Sequence, residues 1–365
     1  NNKEEKNMEQ IEKRQLDFTD KNIFIGIDNH KKNWKVNILC ETIDHKTFTM
    51  NPEPEILDNY LRKNFPRGNY YSAYEAGYCG FWAHEQLELL GIKSIVVNPA
   101  DVPTMDKERR TKNDKVDCRK IARCLRSGEL MSIYTPSREV QEDRTLLRLH
   151  IQLIKEQTRI KNQIKSILGF YGIKISEEKA VSNWSRAFIK WLETIEFKTE
   201  SGRLALDIQI ERLLSTRKTI ASLVIQIRHL SKTDRYREFS ELLISISGIG
   251  ILTAMHFLVE IVDINRFKNL DELASYIGLS PGEHSSGEKN ITGKMTKRGK
   301  SHLRYLLIEA SWIAIRKDPA LMMAYTDYKK KMITQKAIIK IARKLLNRIR
   351  FVLKNKQRYV ISVVN

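Results

Sequence analysis

Two short apolar runs that each end on an acid constrain this chain most: IFIGID at residues 23–28 and YYSAYE at residues 70–75. Apolar runs of this length, bounded by polar turn segments, read as buried strands. Asp28 and Glu75 then emerge where two strands end. A further acidic element follows in TKNDKVDCRKIARCLR, residues 111–126, where Asp114 and Asp117 stand three apart and Val116, Ile121 and Leu125 form a packing face. As a helix, that spacing puts both carboxylates on one side, roughly 5–6 Å apart at Cβ. Acids so close repel unless a cation or a proton intervenes. A solvated, charge-alternating helix would use the same residues; the two strand-end acids tip the balance toward a site.

The segments between these runs set the order of elements. WKVNILC (34–40) alternates as a second strand, and residues 47–50 close a three-stranded antiparallel meander. Helices are expected over 52–65 and 81–90, a buried strand over 92–97 and a break over 99–103. The order β-β-β-α-β-α-β, followed by the basic helix, is a mixed α/β arrangement in which the strands bearing Asp28 and Glu75 lie near one another. A two-metal phosphodiester site needs such a set. Two divalent ions about 3.5–4 Å apart must be held by several carboxylates. Asp28, Glu75, Asp114 and Asp117 are the candidate ligands, for Mg²⁺ with Mn²⁺ as the alternative. His30 reads as a turn histidine. Arg109, Arg110 and Lys112 precede the acidic pair and would hold phosphate beside the metals, or else form a solvated face.

Charge bounds the partners. There are 64 Lys and Arg against 44 Asp and Glu, a formal +20, which favours a polyanion, nucleic acid ahead of a membrane surface. Cys40, Cys79, Cys118 and Cys124 form no CxxC pair and no zinc spacing, so neither a disulfide framework nor a zinc finger is indicated. They fit a reducing, cytoplasmic compartment. No apolar run reaches transmembrane length, and the polar start NNKEEKNMEQIEKRQ lacks the apolar stretch of a signal peptide. It also lacks an initiating Met, so the native first residue is expected elsewhere, and residues 1–20 are expected to be a disordered lead-in.

From about residue 138 to 230, apolar residues recur at helical intervals among many charged ones. One long helix is expected to be interrupted at Gly169 and Gly172, and a second to cover 208–230. Joined through the Trp184/Trp191 segment they make a helical hairpin, read as an oligomerisation arm. Beyond it, Gly248 and Gly250 flank a turn between two apolar helical stretches, where glycine lets backbone N–H groups approach phosphate. An amphipathic helix over 267–279 stops at Gly278. Residues 281–300, PGEHSSGEKNITGKMTKRGK, read as a short polar, flexible loop with Lys289, Lys294, Lys297 and Arg298, and Arg304 beyond it, as phosphate donors. On composition alone a phosphate-binding loop outranks a serine nucleophile there. A helix resumes at about 301, and 338–352 reads as a terminal basic amphipathic helix. Residues 288–350 carry 17 basic against 4 acidic residues, so most of the excess charge sits there.

The blocks IFIGIDNHK, YSAYEAGYCG, TKNDKVDCRKIA, ISGIGILTA and LSPGEHSSGEKNITGKMTKRGKSHLR, taken in order, resemble the signature blocks of the insertion-sequence-110 family of transposases. The resemblance runs from about residue 21 to 350. It implies an α/β RNase H-like (RuvC-like) DEDD catalytic domain over 21–135 and a helical coiled-coil arm over 136–235. A mainly α-helical C-terminal transposase domain would cover 236–355. It implies a tetrad on Asp28, Glu75, Asp114 and Asp117, matching the set above, and a catalytic serine at Ser286, with Ser285 the alternative. Asn113 and Cys118 depart from the more usual threonine and alanine without removing a ligand. The family further implies donor and target double-stranded DNA, a structured noncoding guide RNA, a homo-oligomer (dimer or tetramer) and no membrane. Its chemistry passes through a 5′-phosphoserine formed at a composite carboxylate–serine site. Two other readings stay open. One is a metal-dependent junction-resolving nuclease using water; the other is a non-catalytic nucleic-acid-binding protein with structural acids.

Overall fold

The computed structural model describes residues 17–103, 114–175, 184–286, 289–295 and 299–361, with backbone alone for Asp114, Lys115 and 281–295. The chain divides at Thr135/Pro136 into two compact units. The first holds β1 (Asn22–Asn29), β2 (Trp34–Cys40), β3 (Ile43–Met50), α1 (Pro54–Asn64), β4 (Asn69–Glu75), α2 (Trp82–Leu89), β5 (Lys93–Val97) and α3 (Asp114–Ser127). Its five strands form one open mixed sheet in the order β3-β2-β1-β4-β5. The first three run as an antiparallel meander, whereas β4 and β5 join β1 in parallel. Parallel neighbours require crossovers, which α1 and α2 supply.

Alternation along the strands decides which face each helix covers. Ile23, Ile25 and Ile27 of β1 bury one face with Val36, Ile38 and Tyr74, against Leu57 and Leu61 of α1 and Ala83 and Leu87 of α2. Phe24, Gly26 and Asp28 therefore face the other way, toward α3. The expected meander is present, but β3 begins at Ile43 rather than 47, because the pairing shifts register between Ile38 and Leu39. Residues 1–16 of the expected lead-in lie outside the described residues. Residues 17–20 are tied to the unit, since Phe18 packs edge-on against Phe65 with ring centroids 5.0 Å apart and its N–H donates to Pro66 O. The disordered reading fails there because an aromatic residue in a polar stretch found a place in the core.

The second unit is helical: α4 (Arg138–Phe170), α5 (Arg186–Glu193), α6 (Glu200–Leu230), α7 (Arg237–Ile244), α8 (Ile251–Ile261) and α9 (Leu270–Ile277). The hairpin β6 (Pro281–Ser286) and β7 (Lys289–Met295) follows, then α10 (Ser301–Lys317), α11 (Pro319–Lys331) and α12 (Thr334–Asn355). Helices α4 and α6 lie antiparallel. At one end Ile160, Ile164 and Leu168 pack with Leu206, Ile210 and α5; at the other Leu147 joins Leu223, Ile227 and the core of the C-terminal helices. Two expectations are corrected here. Helix α4 continues through Gly169, which has open space around it, and ends only where Gly172 takes φ +67°. Helix α6 starts at Glu200 instead of 208, its first turn capped by the Thr199 hydroxyl. Among the described residues no helix is long and apolar enough to cross a membrane.

Residues 281–286 and 289–295, expected as part of a loop, pair as a two-stranded antiparallel hairpin instead. Its polar sequence offers no apolar alternation, so nothing in the pattern marks a strand; the backbone pairing itself satisfies the amides. Asn269 caps α9 by accepting from Glu272 N, and Glu272 reaches back to Lys268 N, a reciprocal capping box. Gly278 ends that helix in the left-handed conformation.

Candidate active site

Strand register brings the first two acids together. Ile27 pairs with Tyr74 across the parallel β1–β4 ladder, so Asp28 and Glu75 are the next residues on neighbouring strands, at the same level and on the same face. Adjacent strands lie about 4.8 Å apart. Helix α3 is laid directly over that face because β1 has no side chain at Gly26. A Cβ there would sit 2.0 Å from Cys118 O and 2.5 Å from Ala122 N. The helix is also held laterally. Arg119 Nε donates to Thr47 Oγ1 of β3 at 3.0 Å, and Asn37 Nδ2, fully buried on β2, donates to Asp44 and to the same threonine.

This seating fixes Asp117, the neighbour of Cys118. Burial pushes the Cys118 thiol up to about 11, and the charge of Asp28 adds to the rise. Asp117 accepts from Lys120 Nζ at 3.3 Å, and Lys120 itself is buried. His30 Nε2 lies 3.1 Å from Asp28 Oδ2 while its backbone N–H closes the β1–β2 turn onto Asn33 O, so the turn histidine also touches the first acid. Asp114 is the first residue of α3, where the helix dipole favours a negative charge; its side chain lies outside the described residues. The structure thus sets Asp28 and Glu75 side by side at one end of the sheet, with α3 packed on the face they share.

The donor set fits a hard divalent cation, which prefers carboxylate oxygens. Among the described residues no group of three or more His, Cys, Asp or Glu side chains is close enough to hold an ion by itself. Arg109, Arg110, Lys112, Lys297 and Arg298 lie outside the described residues, as do the side chains of Ser285, Ser286, Lys289 and Lys294.

Within the second unit, Ser286 is the last residue of β6, and its backbone pairs with Lys289 across the tip of the hairpin. The stem of that hairpin is closed by close backbone contacts. Lys300 N donates to Tyr276 O and Arg304 Nη1 to Gly278 O, both at 3.0 Å. Gly299, at φ +97°, leaves no room for a Cβ, which would be 2.6 Å from Gly278 N. Arg304 therefore serves the stem. Gly248 takes φ +90°, and a Cβ there would meet Ala310 O at 2.3 Å, so its glycine is explained by packing on α10; Gly250 has open space beside it.

Sequence reasoning missed Gly26, Lys120 and the Arg119–Thr47–Asp44 tether. A glycine inside an apolar strand run signals a close backbone approach, and that was the available cue.

A profile for DEDD transposases of the IS110 type matches residues 25–173, and one described as transposase IS116/IS110/IS902 family matches residues 240–326. The chain is 27% identical over 245 residues to the putative transposase y4qE of Sinorhizobium fredii, covering 66% of this chain and 58% of that protein. It is 28% identical over 272 residues to the transposase for insertion sequence element IS1111A of Coxiella burnetii, covering 74% and 71%. It is 29% identical over 264 residues to the pilin gene-inverting protein of Moraxella bovis, covering 70% of each. The first profile spans the sheet, both strand-end acids and α3, and the second spans the serine hairpin. The chain carries a DEDD transposase domain of the IS110 family.

Proposed function

We propose that the chain is a DNA recombinase that moves an insertion sequence, acting through the Asp28, Glu75, Asp114 and Asp117 carboxylates together with Ser286. The observation that carries this reading is the level placement of Asp28 and Glu75 on adjacent parallel strands, under a helix that brings Asp117. The four carboxylates would hold Mg²⁺, or Mn²⁺ in its place. When bound, such ions neutralise charge at the scissile phosphate and stabilise the leaving oxygen. Ser286 Oγ attacks phosphorus, the Oγ–P bond forms as the P–O3′ bond breaks, the hydroxyl proton leaves the nucleophile and a proton ends on the 3′ oxygen. The product is a 5′-phosphoserine, and attack by a different 3′-hydroxyl reverses the step to join new ends.

Further parts of the reading rest on the family resemblance and on charge. The acids of one protomer serve the serine of another in a composite site, and the α4–α6 pair acts as a coiled-coil arm in a dimer or tetramer. A structured guide RNA selects donor and target DNA by base pairing while the protein holds backbones. The +20 charge supports a protein that holds several nucleic-acid strands.

One reconstitution tests these claims: purified protein, Mg²⁺, donor and target duplexes, with and without the element's own RNA. Denatured products should keep protein on the DNA 5′ end, with the adduct on Ser286 by fragment mass spectrometry. Ser286→Ala should lose it and Ser285→Ala should keep it. Asp114→Asn should cut by more than the roughly 10–100-fold that loss of an outer-shell metal partner costs, while DNA binding persists. Free 5′-phosphate ends made at full rate by Ser286→Ala would favour water as nucleophile. Recombination at normal rate and site without RNA would remove the guide.

A further inference from the structure

Helix α12 is amphipathic in an unequal way. Ile338, Ile341, Ala342, Leu345 and Ile349 are buried in the core of the second unit, whereas Lys336, Lys340, Lys344 and Asn347 line an exposed stripe at helical spacing. Beside that stripe runs a groove of about 460 Å³ whose lining includes Lys340, Arg343, Lys344, Asn347, Tyr328 and Leu270. Two of its cations are already spoken for, since Arg343 pairs with Asp271 and Arg348 with Asp318, a buried acid that also caps α11. Lys340 and Lys344 have no acidic partner among the described residues, although like charges four apart on a helix repel. An anion lying against the pair would offset that repulsion.

We infer that this groove binds the phosphodiester backbone of a nucleic acid, with Lys340 and Lys344 on successive phosphates. Asn347 and Tyr328 also line it and can donate hydrogen bonds, and Leu270 with Ala320 adds apolar surface for sugar. The stripe from Lys336 to Asn347 is roughly 16 Å long at 1.5 Å per residue. That is enough for about five phosphates of one strand, each advancing about 3.4 Å along the duplex axis. Three consecutive lysines, Lys329 to Lys331, end α11 and extend the positive surface beyond the groove, which suits an elongated polyanion better than a small phosphate ester. A lipid surface is disfavoured because the apolar face of α12 is already buried and has nothing to insert. The inference rests on the reading of the chain as a nucleic-acid-handling protein and adds a contact surface separate from the acids and the serine hairpin.

The test compares wild type with the double variant Lys340→Gln/Lys344→Gln in salt titrations of binding, using a duplex DNA and a folded RNA as separate probes. Both lysines are exposed, so thermal unfolding should match wild type and separate binding from folding. The variant should bind at least one probe about tenfold more weakly near physiological salt. Its slope of log affinity against log salt should shrink by about two, close to one per lost phosphate contact. The probe affected identifies whether DNA or RNA occupies the groove. Unchanged affinity and slope on both probes, with wild type binding normally, would overturn the groove alone. Wild type that binds neither probe would overturn the functional reading beneath it. Weaker binding to polyglutamate, with nucleic-acid binding intact, would reassign the groove to an acidic protein and overturn the inference.

Discussion

Gly26→Ala should reduce DNA cleavage by about a hundredfold or more and Gly26→Val should abolish it, although the position carries no chemistry. The added Cβ falls 2.0 Å from the Cys118 carbonyl oxygen and 2.5 Å from the Ala122 amide nitrogen, both backbone atoms of α3 that no side-chain rotation can move away. The helix must therefore shift by an ångström or more. It carries Asp114 and Asp117, and a 1 Å misplacement of reacting groups costs on the order of 10²-fold. Overpacking a well-filled interior costs about 1–3 kcal/mol, and a backbone clash belongs at the upper end. Cleavage assays and thermal unfolding should be run together, because the loss of cleavage should exceed what the unfolded fraction explains. Gly169→Ala is the matched control. Gly169 lies within α4 with open space around it, so alanine there should stabilise by roughly 0.5–1 kcal/mol. A Gly26→Ala protein with wild-type activity and stability would mean that α3 does not depend on this contact.

The first unit was legible because its signals are local. Ile23, Ile25 and Ile27 alternate with period two, so the face carrying Asp28 follows from the strand itself, and the same holds for Tyr74 and Glu75. What the pattern did not give was the reason these acids meet α3. That depends on Gly26 lying under Cys118, a contact between residues about ninety positions apart. Asn37 is a similar case: a polar residue in an apolar strand, explained only by Asp44 and Thr47 opposite. In the second unit the serine hairpin was invisible because its sequence carries no apolar alternation that periodicity can detect. Helix α11 was missed for a related reason, since Leu321 is its only fully buried side chain among the described residues. Glu260 was hidden inside the apolar run HFLVEI, with partners more than a hundred residues away on α4.

Glu260→Gln should lower the stability of the second unit by about 3–5 kcal/mol, the usual cost of removing one partner from a buried ion cluster. The carboxylate is 1% exposed on α8. Oε1 accepts from Arg148 Nε and Nη2 at 3.0 and 2.9 Å, and Oε2 lies 3.2 Å from Lys300 Nζ and 3.6 Å from Arg144 Nε. Burial pushes its pKa up, but Lys300, Arg148 and Arg144 together outweigh that and hold it below the ordinary glutamate value. Glutamine keeps the shape and discards the charge, leaving three cations facing one another, with Arg144 itself buried. The melting temperature should fall by on the order of 10 °C, since 1 kcal/mol is worth roughly 2–4 °C at this size.

The pH dependence gives the signature. A carboxylate with a depressed folded pKa stabilises fully above its unfolded value, about 4.3, and loses that contribution as pH falls through the folded one. The gap between wild type and Glu260→Gln should therefore be constant from neutral pH to about 5 and close below 4. Both proteins share a separate decline beginning near pH 6.5, because burial lowers the pKa of His150, His256 and His302, that of His256 to about 3, so only the unfolded chain takes up those protons. Subtracting the two curves leaves the carboxylate together with the support its charge gives to protonated His256 and His302. Lys300 lies at the stem of the serine hairpin, so the variant should also lose 5′-adduct formation at temperatures where it remains folded. Equal melting temperatures at pH 7, or a gap that persists undiminished at pH 3, would show that Glu260 does not hold these cations together.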